Sequence, residues 1–397
     1  MRNATSSPPE DADSFKAIRR RVAKKLDGFT PDFPDKSRGG NMNSYRPNAK
    51  DFPVPELVLF TMRNIMGWRW QGHGEKVRWS VYGSVAGEPV VFEHRKFGFT
   101  IIRGDSPKVT DSRIEGQLKA ALKEVEKFLE PLAQHQVGQG EVLIVNRFAE
   151  FSGRYRFFRA LADKAYRRAT KPPRASRAKA KLDGNLSNLL GGLQHRMAAN
   201  REGFFHSAAM VDCYFSALEH RLVLLRAFTG LPLGSGELLD ILAAKWDEKL
   251  KRVLPVSGHQ HAEQILGRMR RIKERIRNPF SHGGVENDGG SLFFHLPHVG
   301  AIPANFSRFG NSVRFSFIPI EADDHGESCT VFDELDELLC VGRLAAPHKL
   351  MDAGVDPSFD AVSLNRYADA IGGTQAHLDE FIERWGHEWD RHANMDY

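Results

Sequence analysis

Hydrophobic positions along the chain switch between the period of a strand and that of a helix, and the switches divide it. Between residues 50 and 170 the first signal has period two. Val77, Trp79 and Val81 alternate with Arg78, Ser80 and Tyr82, which predicts a half-buried strand. Turn residues follow from Gly83 to Gly87, then two further strands over Pro89–Glu93 and Phe97–Ile102, so the spacing predicts an antiparallel meander. The period then lengthens. Ile114, Leu118, Leu122, Val125 and Leu129 form a helical stripe that opens on a Ser112/Glu115 capping box and is expected to stop at Pro131. Residues 142–145 read as a short final strand.

From Leu186 onward the pattern is helical. Val211, Phe215, Leu218, Leu222, Leu225 and Phe228 share one face of a long helix ending at Gly230. Leu238–Leu250 predicts a second helix. Ala262–Arg277 predicts a third, with Ile265, Met269, Ile272 and Ile276 turned inward and Pro279 ending it. Leu292–Phe294 and Val313–Ile318 predict a paired hairpin, and Phe332–Leu344 and Gln375–Trp389 predict closing helices. The expected class is α+β: a small antiparallel α/β module followed by a mainly helical bundle with an inserted β-hairpin near residues 291–320. The expected divisions are a flexible lead-in over residues 1–49, the module over 50–170, a basic linker over 171–185 and the helical domain over 186–397.

The chain has 397 residues, 41% hydrophobic and 27% charged, which suits a folded protein of two or three domains. The polar N-terminal stretch lacks the apolar core of a secretory signal, and no apolar run reaches the length of a membrane span. Cys213, Cys329 and Cys340 are far apart, with no CxxC spacing. These features predict a cytoplasmic protein without membrane contact.

Charge adds a candidate binding region. The chain nets +6, yet residues 147–181 hold twelve Lys/Arg against two acids, Glu150 and Asp163, so this stretch carries +10. Tyr155, Phe157, Phe158 and Tyr166 interleave with its arginines, and Arg167, Arg168, Lys171, Arg174, Arg177, Lys179 and Lys181 run into the linker. Cations that neutralise phosphates beside rings that stack bases predict an RNA-binding segment. The competing reading is an amphipathic helix that buries its rings and solvates its arginines.

The candidate chemistry lies at the end of the third helix. Arg277, Asn278 and His282 occur in the run Arg277-Asn278-Pro279-Phe280-Ser281-His282, followed by Gly283 and Gly284. Histidine moves protons near neutral pH, and an arginine fork holds a phosphate. His259 and His261 could bind a metal, as could His295 and His298, but neither pair has a third ligand at a recognisable spacing. No phosphate-binding loop, dinucleotide fingerprint or nucleophile elbow is present.

The run resembles the RNxxxH form of the signature of the HEPN superfamily, which includes many metal-independent ribonucleases of toxin and antiphage systems. The resemblance covers roughly Leu186 to Gly284. It implies an endoribonuclease in which Arg277 holds the scissile phosphate, His282 serves as general base or acid, and Asn278 orients the histidine or donates to phosphate. It further implies no metal or other cofactor, a homodimer, and an antitoxin or defence-system partner. Glu219, on a polar stripe with Asp212 and Ser216, is the candidate to pair with Arg277 or His282. The alternative is a non-catalytic HEPN-like module that binds nucleic acid or protein, and a metal-dependent hydrolase using His259 and His261 is a third reading.

Overall fold

The computed structural model describes the chain except for residues 1–11, 35–41, 106–108, 172–185, 235, 255, 257, 278–291, 308–311, 315–319 and 396–397. It is mixed α and β, with an antiparallel sheet and many helices. Two compact units emerge: Met1–Glu141 with Asp379–Tyr397, and Val142–Leu378. The expected boundaries therefore shift. The first ends near 141 rather than 170, because the following helix packs within the second unit. The C-terminal residues from 379 belong to the first unit and not to the helical domain.

In the first unit, helix α1 (Ala12–Lys25) lies within the expected lead-in, where the sequence allows a short, mostly charged helix over Ser14–Leu26. It is mostly charged, but Ile18 and Val22, with Leu26 just beyond its end, repeat every four residues and are buried. This stripe packs with Ile114, Leu118, Ala121, Leu122 and Val125 of α3 (Asp111–Gln139) in one core. The short strands β1 (Phe29–Thr30) and β2 (Met42–Tyr45) also fall in the expected lead-in, and they pair at opposite sides of the meander. Helix α2 (Pro55–Leu59) runs into a π-turn over Phe60–Ile65. The meander consists of β4 (Val77–Val85), β5 (Glu88–Arg95) and β6 (Gly98–Gly104), with β3 (Arg69–Gln71) added on β4.

Two details correct the expected boundaries in this unit. Strand β4 runs through Gly83 instead of turning there. A Cβ at Gly83 would lie 2.3 Å from the Trp68 ring and 2.6 Å from the Thr30 carbonyl oxygen, so glycine is what lets the buried indole sit against the strand. The turn comes three residues later, at Ala86 and Gly87, whose φ values of 50° and 82° suit a two-residue hairpin loop. Helix α3 is capped by Thr110, whose hydroxyl accepts from the Arg113 amide, and not by Ser112. It continues past Pro131 to a left-handed Gly140, since one missing backbone bond on an exposed face does not outweigh the turns on either side.

The second unit is built on an antiparallel pair, α4 (Phe148–Ala169) and α5 (Leu186–Ala227). Ring contacts set their register: Phe151 meets His220, Tyr155 meets Tyr214 and Phe158 meets His206. Around them lie α6 (Glu237–Ala243), α7 (Trp246–Val253) and α8 (Gln260–Ile272). Helices α9 (Ala322–Leu338), α10 (Ala345–Asp352) and α11 (Ala361–Gly372) complete the unit, and α12 (Gln375–Asn394) leads into the residues of the first.

The single helix expected over Leu238–Leu250 is two. Extended backbone at Ala244 and Lys245 separates α6 from α7. An unbroken helix would rotate Trp246 about 140° away from Ile241. The break lets both be buried and brings Trp246 edge-on to Phe215, ring centroids 5.4 Å apart.

The hairpin also differs from expectation. Strand β7 (Leu292–Leu296) pairs with β8 (Gly300–Ser307), and β8 with β9 (Ser312–Arg314). The loop between β7 and β8 spans three residues, helped by positive φ at His298 and Gly300, so local closure replaces the longer connection. Residues 315–318 of the expected second strand lie outside the described residues. No helix among the described residues is long and apolar enough to cross a membrane.

Candidate functional site

Arg277 closes the chain segment that leads into the motif. After α8 the backbone widens into a π-turn over Lys273–Arg277, with Ile276 buried and Arg277 half-buried. Such turns inside helices recur at functional sites because they rotate the next side chain off the regular 3.6-residue register. Here the rotation coincides with Arg277 lying across α5.

Three α5 side chains receive the guanidinium. Nε donates to Asp212 Oδ1 at 3.2 Å, and Nη1 approaches Glu219 Oε1 at 3.5 Å. The guanidinium carbon lies 5.3 Å from the Phe215 ring centroid, within cation–π range. Asp212, Phe215 and Glu219 are spaced three and four apart, so one helix face presents all three. The stripe of Asp212, Ser216 and Glu219 expected from the sequence therefore does meet the arginine, although Ser216 bonds back to the Asp212 carbonyl.

Lys249 of α7 is a fourth participant. Its side chain is 7% exposed, and Nζ lies 4.0 Å from Glu219 Oε2. Glu219 thus stands between a buried ammonium and the arginine. Sequence reasoning missed Lys249. A lysine three residues after a buried tryptophan, on the apolar face of a strongly amphipathic helix, was the available signal.

Asn278 and His282 lie outside the described residues, as do Arg174, Arg177, Lys179 and Lys181. Of the other expected RNA-binding residues, Arg167 and Lys171 are exposed at the end of α4. Arg168 is instead held by the Glu202 carboxylate on α5. The rings of α4 divide between the two readings: Tyr155 and Tyr166 are buried, while Phe157 is exposed. His259, which precedes α8, and His261 are exposed, and among the described residues no group of three His, Cys, Asp or Glu is placed to hold a metal ion.

Two other polar constellations lie inside this unit, and sequence periodicity did not reveal them. His325 of α9 bonds through Nδ1 to the Ser207 hydroxyl and through Nε2 to Asp163 Oδ1, both at 2.9 Å. The order resembles a nucleophile–base–acid relay, but Ser207 is fully buried, so the network ties α4, α5 and α9 together. Arg221 is likewise buried and donates to Asp336 Oδ1 at 2.6 Å, which also accepts from Tyr214 Oη at 3.0 Å. Burial raises the Asp336 pKa against the opposing pull of Arg221. Burial also raises the Cys329 thiol to about 11, so it rests protonated beside His325.

No family model matches the chain, and no curated protein or solved structure matches it either.

Proposed function

We propose that the second unit is a metal-independent endoribonuclease of HEPN type, with Arg277 as the phosphate-holding group and His282 as the proton-transfer group. The observation that carries this reading is the fixed placement of Arg277. Two carboxylates and an aromatic face hold its guanidinium, one residue before Asn278 and five before His282. The carboxylates engage Nε and Nη1, two of the groups that together carry five N–H donors. A phosphodiester docked on the remaining edge would have its developing charge stabilised by a group that need not reorganise.

In this mechanism His282 removes the proton from a ribose 2′-hydroxyl or delivers one to the leaving 5′-oxygen. The attacking hydroxyl belongs to the substrate itself, so the reaction gains from proximity. Glu219 is a positioning residue that holds Arg277 through its charge. The expected products carry a 2′,3′-cyclic phosphate or its hydrolysis product. An antitoxin or defence partner, and a homodimer in which two motifs meet, belong to the same proposal.

One observation favours a second reading. Asp212 and Glu219 together can neutralise Arg277, as they would in a purely structural ion cluster within a non-catalytic binding module. Incubating the purified protein with RNA, beside Arg277→Lys, separates the two. Lysine keeps the charge and loses the fork, so the nuclease reading expects cleavage by the native protein and its loss in the variant. Absence of cleavage by the native protein favours the binding module.

A further inference from the structure

We propose that the α4–α5 surface beside Arg277 is the track for a single-stranded RNA, with Phe157 and Phe205 as base-stacking platforms; this rests on reading the second unit as a ribonuclease and adds the form of its substrate. The track begins at the stripe that holds Arg277. Along α5, Arg201, Phe205, Asp212 and Glu219 are spaced four, seven and seven residues apart. At about 100° per residue these positions stay within one narrow sector. The stripe therefore continues from Glu219 and Asp212 toward Phe205 and Arg201. Phe205 stands two turns, about 10 Å, from Asp212 at 1.5 Å per residue.

Helix α4 borders this stripe. Tyr155 meets Tyr214 with ring centroids 5.1 Å apart, which sets the neighbouring Arg154 level with the Asp212 end of the stripe. Further along, Phe158 lies over His206, ring centroids 6.3 Å apart, and Phe157 packs edge-on against Phe158 at 5.3 Å. Phe157 and Phe205 are 59% and 58% exposed. Phe205 lies against Phe204, ring centroids 5.4 Å apart, so two large rings, one on each helix, each rest against a neighbouring phenylalanine and stand exposed. Arg154, Lys164 and Arg201 are exposed on the same two helices.

The charges argue for RNA over a protein partner. Arg154, Lys164 and Arg201 share these two helices with the exposed rings, and rings set among cations suit a strand whose phosphates need neutralising and whose bases need a flat surface. The rings also select the form. Bases in an A-form duplex are stacked on one another and offer no face to a phenyl ring, while single-stranded bases do.

The test uses the full-length protein carrying His282→Ala, so that RNA stays intact, and a fluorescently labelled single-stranded oligoribonucleotide followed by anisotropy. Adding Phe157→Leu and Phe205→Leu keeps apolar bulk against Phe158 and removes the stacking surface. The proposal expects at least about a tenfold loss of single-strand affinity, recovery with tryptophan at both positions, and little change for the same sequence as a duplex. Undiminished single-strand affinity in the double leucine variant overturns it, as does tighter binding of duplex. A shift from dimer to monomer in the leucine variant, with RNA affinity unchanged, would give the surface to a second copy of the chain and overturn it as well. Cleavage on the His282-intact background separates this outcome from failure of the nuclease reading. Cleavage with unaltered KM in the leucine variant removes the track and leaves the nuclease. Ring-dependent binding with no cleavage by the native protein keeps the track and removes the nuclease. A native protein that neither binds nor cleaves overturns both.

Discussion

Glu219 sets the energetics of the Arg277 cluster, and Glu219→Gln measures it. The substitution keeps size and hydrogen-bonding capacity and removes one charge. Lys249 Nζ lies 4.0 Å from the Glu219 carboxylate and its side chain is 7% exposed. At that separation, with an effective dielectric constant of about 20, the attraction is about 4 kcal/mol before solvation is counted. Glu219 is itself 35% exposed, so water screens part of this. The net loss expected is about 1–2 kcal/mol, most of it from leaving the Lys249 ammonium buried without its counter-charge. For a unit of this size that lowers Tm by about 2–4 °C per kcal/mol. Lys249→Met removes the buried charge at similar volume and should stay within about 1 kcal/mol of the native protein. The double variant should be little worse than Lys249→Met alone. Urea unfolding of the four proteins, with hydrogen exchange of α5 and α7 to separate this unit from the other, gives the coupling energy. Strict additivity, within about 0.3–0.5 kcal/mol, would refute the claim that the two side chains share one electrostatic site.

Three further outcomes are expected. Asp360 caps α11, accepting from the Ser363 amide and the Ser358 hydroxyl; burial works to raise its pKa, but these bonds outweigh it and bring it to about 2. Asp360→Ala should cost about 1 kcal/mol at neutral pH. Because the folded pKa is depressed, that difference should shrink as pH falls from about 4 through 2, and a constant difference in the melts would contradict the assignment. Burial, helped by Arg147 and Arg221 respectively, lowers the pKa values of His220 and His348 below 6.5. Both are then neutral in the fold, so the unfolded chain binds more protons and stability should drop as pH falls below about 6.5. His220→Gln should reduce the change in urea midpoint between pH 7.5 and 5.5, and an unaltered change would contradict this. Gly83→Ala should destabilise the first unit by about 1–3 kcal/mol or more, since its Cβ would overlap the Trp68 ring and the Thr30 carbonyl; a melt identical to the native protein would contradict that close approach.

Periodicity carried the parts of this molecule that bury one face. The meander over residues 77–104 and the long apolar stripe of α5 were legible because alternate or every third and fourth residues had to point inward. Helix α1 showed only as a short, mostly charged stretch over Ser14–Leu26, because three buried residues were outvoted by a run of charges. The α6–α7 break was hidden because local pattern does not show that Trp246 and Ile241 must reach the core from different rotations. At the candidate site, the Arg277–Glu219 meeting could be anticipated from a polar stripe on an otherwise apolar helix. Lys249 left one signal, its place on the apolar face of α7, while Arg221 and His325 left none, since their buried partners come from distant segments. The basic stretch was read by composition alone, and the structure splits it residue by residue: Tyr155 and Tyr166 pack inward, Arg168 is engaged by Glu202, and Phe157 with Arg154 faces outward.

The central claim is that Arg277 and His282 cut RNA without a metal ion. Its most direct measurement is the rate of oligoribonucleotide cleavage by the purified native protein in excess EDTA, beside His282→Ala, with the product termini identified by mass. The account predicts undiminished cleavage in EDTA, products ending in a 2′,3′-cyclic phosphate or its hydrolysis product, and no cleavage by the alanine variant at unchanged stability. Activity that EDTA abolishes and a divalent ion restores, or full activity without His282, would contradict it.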